Sequence, residues 1–258
     1  MFSGLKQLIQ YREFFRQTIL QQLKARYRSS ALGFLWTLLN PLLALLVLSF
    51  VFSYVNHWNL KVFGVYFFSG YVPWLFFVSA TNGAANAVVG NGLYVTRISV
   101  PRLVFPLSVV AVSAVDFGVG LVILFALALL VNAPLTAACL ILPLGVILLA
   151  LFITGLSMLF AATGVFLRDF QFLWGHLTFL LFFLSPILYP LDRISPNLRQ
   201  YMALNPALPF LRLFQEPVAS GQLPSAATVI WAAALAVSAV VAGYAAFMRL
   251  ERRFYLYL

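Results

Sequence analysis

The sequence predicts an all-α integral membrane protein, and three observations carry that reading. First, 63% of the 258 residues are hydrophobic and only 9% are charged, whereas a soluble domain is about half apolar and about one quarter charged. Second, the apolar residues gather into runs long enough, at about 1.5 Å of helix rise per residue, to cross a hydrocarbon core of about 30 Å. Third, the cations behind the net charge of +10 sit at the ends of these runs. There they set orientation and meet headgroups, rather than forming a stripe for nucleic acid, so no nucleic-acid partner is expected.

The opening 1–30 segment differs from the rest. Leu5, Leu8, Phe15, Ile19 and Leu23 recur at helical spacing, with Gln7, Arg16, Gln17, Gln21 and Lys24 on the other sides. This pattern predicts an amphipathic helix lying in the membrane interface. The segment is too polar for the apolar core of a cleavable signal peptide, so none is expected. Residues 31–258 form the membrane domain, with spans expected at about 33–55, 65–89, 106–131, 135–166, 175–189 and 226–248. Between the last two, residues 190–224 are too polar to span and too apolar for a free loop. Prolines at 206, 209 and 217 break them into short pieces, the pattern of a re-entrant external segment. The total is six transmembrane helices.

Orientation follows from Lys and Arg. A cytoplasmic N-terminus puts Lys6, Arg12, Arg16, Lys24, Arg26, Arg28, Arg97, Arg102, Arg168, Arg249, Arg252 and Arg253 inside. Only Lys61, Arg193, Arg199 and Arg212 then lie outside, so both termini are expected in the cytoplasm. Trp58, Tyr66, Tyr71 and Trp74 form an outer aromatic belt in this arrangement.

The chain carries little of what catalysis needs. Each of its lysines follows a leucine, so no Gly-Lys-Ser/Thr phosphate loop exists and ATP hydrolysis by this chain is not expected. His57 and His176 fall on opposite sides of the proposed membrane, and no metal-ligand spacing is present. Cys139 lies inside an apolar run and is assigned to packing. Asp116 is the one acid well inside a span. It is either functional, the default for an intramembrane acid, or a structural partner of an arginine such as Arg97 or Arg102.

Two features suggest work other than catalysis. In the inner loop, Leu93, Ile98, Val100 and Leu103 alternate with Arg97 and Arg102, giving a short amphipathic element that begins near Asn91. It suits either a lipid surface or the docking of a partner whose motion it transmits. Aromatic residues make up 16% of the chain. Tyr54 closes the first span, and Phe182, Phe183 and Tyr189 close the fifth. Aromatic faces contact sugar C–H faces without fixed hydrogen bonds, so these rings suit a track for a sliding carbohydrate, as well as lipid contact or helix packing.

At this point a resemblance enters. The run from Tyr27 to Pro41, with Tyr27, Arg28, Ser30, Leu32, Gly33, Leu35, Trp36 and Pro41 in register, resembles the entry to the first span in the transmembrane subunits of ABC-2 type polysaccharide exporters. The segment from Val100 to Pro106 is similar to that family's coupling segment. Phe166-Leu167-Arg168-Asp169 and Ser185 to Pro190 (SPILYP) resemble the approach to and the end of its fifth span, and Asn205-Pro206 with Gly221 resembles the bounds of its re-entrant element. One departure is Phe214-Gln215-Glu216, where family members often carry an arginine. Arg212 lies nearby but is not assigned that arginine's role.

The resemblance implies a homodimer with two copies of a separate ABC ATPase, which holds the ATP and magnesium, so this chain needs no cofactor. It implies a channel walled by the first and fifth spans, in the bacterial inner membrane, for an undecaprenyl pyrophosphate-linked polysaccharide such as O antigen. Arg26 and Arg28 are then candidates to attract the pyrophosphate, or simply headgroup anchors. Asn91, Arg97 and Arg102 are candidates for ATPase coupling, and Tyr54, Phe182, Phe183 and Tyr189 for the channel wall. Capsule, teichoic acid, a drug or a small lipid are alternative cargoes. A membrane-embedded glycosyl or phosphate transferase is a further alternative, disfavoured because the acids are scattered. An ion-coupled transporter is disfavoured by a lone Asp116 without repeats.

Overall fold

The computed structural model describes residues 10–27, 35–56, 59–97, 100–191 and 194–257. The remaining positions, among them Arg28, His57, Trp58 and Arg193, lie outside the described residues, as does the 1–9 part of the first helical segment.

α1 (Arg12–Tyr27) begins with Glu13 and ends with Lys24 and Arg26, charges that complement the helix dipole. α2 (Leu35–Asn56) contains Pro41, which cannot donate the usual helical hydrogen bond to the Thr37 carbonyl; membrane helices tolerate this. α3 (Leu60–Ala85) starts where the Asn59 side chain accepts from the Lys61 amide at 2.9 Å. It therefore begins and ends about a turn earlier than the apolar run at 65–89. The cap decides the start, and the Asn- and Gly-containing turn after Ala85 decides the end.

A short loop carries α4 (Gly92–Arg97) and leads into α5 (Val104–Leu130). A 3₁₀ turn, Ala137–Ile141, opens onto α6 (Leu142–Phe166). α7 (Phe170–Phe183) has 14 residues, about 21 Å of helix, which is shorter than the hydrocarbon core. It starts before the run at 175–189 because Asp169 stands at its N-terminus. It stops early because Pro186 has no amide to continue it. Two short helices follow, α8 (Pro196–Met202) and α9 (Leu208–Gln215), and then a π turn, Glu216–Ser220. α10 (Ala226–Leu250) is capped by the Ser225 hydroxyl, which accepts from the Thr228 amide, and ends in a 3₁₀ turn, Glu251–Leu256.

Among the described residues, five helical stretches are long and apolar enough to cross a membrane: Leu35–Phe52, Leu60–Ala85, Val104–Leu130, Ala137–Phe166 and Ala226–Leu256.

α3 stands at the centre, with Phe63, Phe67, Phe68, Trp74, Phe76 and Phe77 all buried. An aromatic ladder runs from Phe52 of α2 through Phe63 and Phe67 to Tyr71 of α3, with centroids 4.9–6.1 Å apart. α6 and α10 meet backbone to backbone. A Cβ placed on Gly155 would strike the Ala239 backbone, and one on Gly243 would strike the Gly155 backbone. Without water to drive apolar burial, such close approach supplies the dispersion contacts that hold membrane helices together. Gly164 serves α6 and α3 in the same way, meeting the Ala85 carbonyl.

α9 is inserted among these helices. Phe210 stacks on Phe152 at 4.6 Å, and Phe214 meets Phe117 edge-on at 5.8 Å. A smaller apolar cluster closes the opposite end of the bundle. There Val95, Leu103, Phe105, Met158, Val165, Phe247 and Phe254 join the α4 loop to the ends of α6 and α10.

Candidate functional site

The exposed apolar helices and the α4 loop hold most of the residues singled out above. α2 leaves Leu43, Leu46, Val47, Phe50 and Tyr54 exposed, and α7 leaves Phe172, Leu173, Phe179, Leu180 and Phe183 exposed. Within α7 only Thr178 is buried. These two helices therefore present an unfilled apolar and aromatic surface.

The four aromatic candidates divide into two pairs. Tyr54 is 78% exposed and Phe183 49% exposed. Phe182 and Tyr189 are half-buried. Phe182 packs edge-on to Tyr71 at 6.2 Å and lies 6.0 Å from Trp74. It also backs Phe183 at 5.5 Å, and the Tyr189 hydroxyl donates to the Phe183 carbonyl. One pair thus faces outward and the other fixes the end of α7 against α3.

The non-helical stretch after α7 is held by polar contacts that its own sequence does not announce. Ser185, Ile187 and Leu188 are buried. The Pro186 carbonyl accepts twice, from the Tyr66 hydroxyl and from Gln215 Nε2, both at 2.7 Å. Asn205 Nδ2 donates to the Ser185 hydroxyl at 2.8 Å. Irregular backbone is stable at membrane depth only when protein satisfies it, and these contacts do so. Sequence reasoning noted Gln215 only as a departure from a pattern and missed its part here. The available signal was a glutamine in an otherwise apolar amphipathic helix.

Gly221 follows the π turn with φ 65, the left-handed region, and a Cβ there would stand 2.6 Å from the Pro134 carbonyl. Its own carbonyl accepts from the Thr136 hydroxyl at 2.6 Å. Glu216, outside the spanning helices, has its carboxyl pushed above the usual range by burial, an effect the nearby Arg212 guanidinium partly offsets.

At the α4 loop, Asn91 Nδ2 donates to the Ala87 carbonyl at 2.8 Å, which closes the turn after α3. Arg102 donates to the Glu251 carbonyl and lies over the Phe254 ring, 5.8 Å from its centroid. It therefore ties the loop to the C-terminal turn. Arg97 ends α4, and its side chain lies outside the described ones.

Arg26 forms an ion pair with Asp116 of α5. One turn earlier, Gln22 Nε2 donates to the Ser108 hydroxyl at 2.8 Å. α1 is thus fastened along α5 by polar contacts that link positions 86 and 90 residues apart. No local pattern in the sequence signals such pairs. His176 keeps Nδ1 2.8 Å from the Phe172 carbonyl, a bond internal to α7, and Cys139 lies near the Pro217 carbonyl at 3.6 Å.

Comparison with known proteins accords with this architecture. Residues 13–217 match the model of the ABC-2 type transporter family. The chain is 33% identical over 239 residues, 92% of each chain, to the O-antigen export system permease protein RfbA of Myxococcus xanthus. It is 28% identical over 205 residues, 79% of each chain, to a protein of the same name from Klebsiella pneumoniae. It is also 24% identical over 246 residues, 90% of this chain and 91% of the other, to the polysialic acid transport protein KpsM of Escherichia coli. With most of its length covered by the family model and by these relatives, the chain belongs to the ABC-2 type transporter family and is a multi-pass membrane protein.

Proposed function

We propose that this chain is the channel-forming subunit of a polysaccharide exporter of the bacterial inner membrane, acting as a homodimer with two copies of a separate ABC ATPase. The observation that carries the reading is the open surface of α2 and α7. These helices are the least covered: the apolar stretch of α2 is 11% buried and α7 buries Thr178 alone, against 22–67% for the other spanning stretches. Paired with a second copy, that surface makes a wall rather than a core. The relatives' names, which speak of O-antigen export and polysialic acid transport, support a polysaccharide cargo; the cargo in this reading is an O antigen carried on undecaprenyl pyrophosphate.

In this reading Tyr54 and Phe183 touch the sliding sugar chain, while Phe182 and Tyr189 hold the wall in shape. Shallow repeated contacts let a polymer move, since tight sites lengthen dwell time. α7 and the buried turn to Pro190 together make the fifth of six spans. Residues 190–224 form a re-entrant external segment, and α1 belongs to an interfacial N-terminal helix, with both termini cytoplasmic. Arg26 and Arg28 attract the pyrophosphate. Asn91, Arg97 and Arg102 bear on the ATPase, which holds ATP and magnesium, and the Arg102 bond to the C-terminal turn passes its motion to α10.

The test is reconstitution of the full chain with its cognate ATPase, followed by measurement of hydrolysis and export with a lipid-linked glycan. Glycan-dependent stimulation is expected. Replacing Tyr54, Phe182, Phe183 and Tyr189 together by Ala should lower export without lowering the amount of protein in the membrane. Unchanged export in that variant, or stimulation by a drug and not by the glycan, would overturn the reading.

A further inference from the structure

Polar groups without partners gather where the last turns of α3 border α7. Along α3, Tyr71, Leu75, Val78, Asn82 and Asn86 recur at helical spacing and form a strip that its neighbours leave partly open. The strip is apolar and aromatic until the end of the helix, where the two asparagines stand. Thr81 beside them is fully engaged: its hydroxyl donates to the Phe77 carbonyl and accepts from Trp174 Nε1 at 2.9 Å. The Asn82 and Asn86 side-chain amides have no hydrogen-bond partner among the described residues. Asn82 Oδ1 lies against α7, 3.6 Å from where a Cβ on Gly175 would stand, and Asn86 Nδ2 lies 3.6 Å from the same point on Gly90. α7 continues this surface. Gly175 borders the exposed stripe of Phe172, His176, Phe179 and Phe183, which share one face at spacings i, i+4, i+7 and i+11. In the middle of that stripe His176 donates Nδ1–H to the Phe172 carbonyl at 2.8 Å. In the neutral ring this leaves Nε2 as an acceptor, and it has no partner among the described residues.

Lipid tails do not suit these groups. An amide or imidazole set against hydrocarbon loses its bonds to water and gains none. Polar side chains within spans face protein or water-filled space instead. A sugar satisfies all three. Each hydroxyl both donates and accepts, so one amide can serve a neighbouring pair of hydroxyls, donating through Nδ2 and accepting through Oδ1, while another hydroxyl donates to Nε2. The groups carry no fixed charge, which matches a hydroxyl rather than a diphosphate. We propose that Asn82, Asn86 and His176 form a hydroxyl-binding entry site for the carbohydrate, at the end of the wall away from Tyr54 and Tyr189. The entry site rests on the channel reading above, in which this end opens to the cytoplasm. The two ends of the wall then differ in kind. Amides and imidazole make directional bonds that hold and align the sugars entering the channel. The aromatic rings farther along give the shallow contacts over which the chain slides.

The test uses the full chain reconstituted with its cognate ATPase. Hydrolysis is titrated with undecaprenyl diphosphate bearing an oligosaccharide and, as the control, with the sugar-free carrier. Asn82→Leu with Asn86→Leu should raise the half-maximal concentration of the oligosaccharide-lipid about tenfold, the size expected for two lost hydrogen bonds. His176→Phe should raise it about threefold, and His176→Gln, whose amide oxygen accepts in place of Nε2, should restore it. The response to the sugar-free carrier should be the same in all of them. Should the leucine pair fail to fold, Asn82→Cys in a Cys139→Ser background reads the same site. A water-soluble thiol reagent should label it, and the oligosaccharide-lipid should slow that labelling where the sugar-free carrier does not. A wild type that no oligosaccharide-lipid stimulates overturns the channel reading and the entry site with it. Stimulation with an unchanged half-maximal concentration in the leucine pair, or labelling that the sugar does not slow, overturns the entry site alone. Absence of labelling, which means that lipid or a second copy covers this face, does the same.

Discussion

α2 and α3 follow one another in the chain and occupy opposite surroundings. The most apolar stretch of α2 has a mean hydropathy of 2.1 and is 11% buried, while that of α3 has 1.5 and is 67% buried. In a soluble protein the more apolar helix would be the inner one. In a bilayer the surroundings are as apolar as the interior, so hydropathy does not distinguish them. What marks α3 as the inner helix is its means of packing and of satisfying polar groups. Gly70 leaves room for the Gln215 side chain, Thr81 returns its hydroxyl to the Phe77 carbonyl, and the aromatic ladder fills the space between neighbours. α2 offers leucines and valines that suit lipid, or a second protein surface, equally well.

The contrast can be broken most severely at a seam. Gly164→Val drives a branched side chain into the Ala85 backbone of α3, and neither helix can yield without separating. Loss of monodisperse protein on size exclusion is expected. Gly118→Ala is the control, since nothing lies within 4 Å of the added Cβ. Next in size, Phe67→Ala in α3 empties a fully buried site and should cost about 3–5 kcal/mol. Phe50→Ala in α2, at a side chain 65% exposed, should stay within about 0.5 kcal/mol for the isolated protomer. Equal losses in denaturation experiments would show that the two helices are packed alike.

A finer probe is Tyr66→Phe, which removes one of the two donors to the Pro186 carbonyl while keeping the ring. A loss of about 1 kcal/mol is expected. No change in Tm would mean that the Gln215 bond suffices for that carbonyl.

The smallest effect concerns Glu216. Its folded carboxyl titrates above the ordinary 4.5 because of burial, so the native state holds the proton more tightly than the unfolded chain. Its contribution is fully present below the ordinary value and is lost as pH rises through the raised one. Glu216→Gln should therefore flatten the stability profile above pH 4.5. It should raise neutral-pH stability by no more than about 0.5 kcal/mol. A steeper profile in the variant would contradict the burial argument.

The helices were largely legible in the sequence because their signals are local. The apolar runs at 106–131, 135–166 and 226–248 coincide within a few residues with α5, the stretch Ala137–Phe166 and α10. The prolines at 186 and 190 mark the non-helical backbone that follows α7. What stayed hidden depends on pairs distant in the chain. Arg26 and Asp116 each looked like a membrane-surface charge or a lone acid, and nothing near either names the other. Arg102 read as a free polar face, yet its guanidinium is occupied by a carbonyl 149 residues away. Which side of a helix meets lipid was also unreadable, for the reason that α2 and α3 illustrate.

The backbone contact between α6 and α10 has a mechanical consequence. Two rods touching along their axes with no compressible side chain between them bend as one thicker beam, and stiffness grows steeply with thickness. One end of that beam carries Met158, Val165, Phe247 and Phe254, the residues on which the α4 loop and Arg102 bear. The other end adjoins the loops gathered at Gly221 and Thr136. A push delivered at the first end therefore reaches the second as a tilt of the whole beam rather than as local bending. α2, held by few contacts, is the part of the molecule that such a tilt displaces with the least resistance.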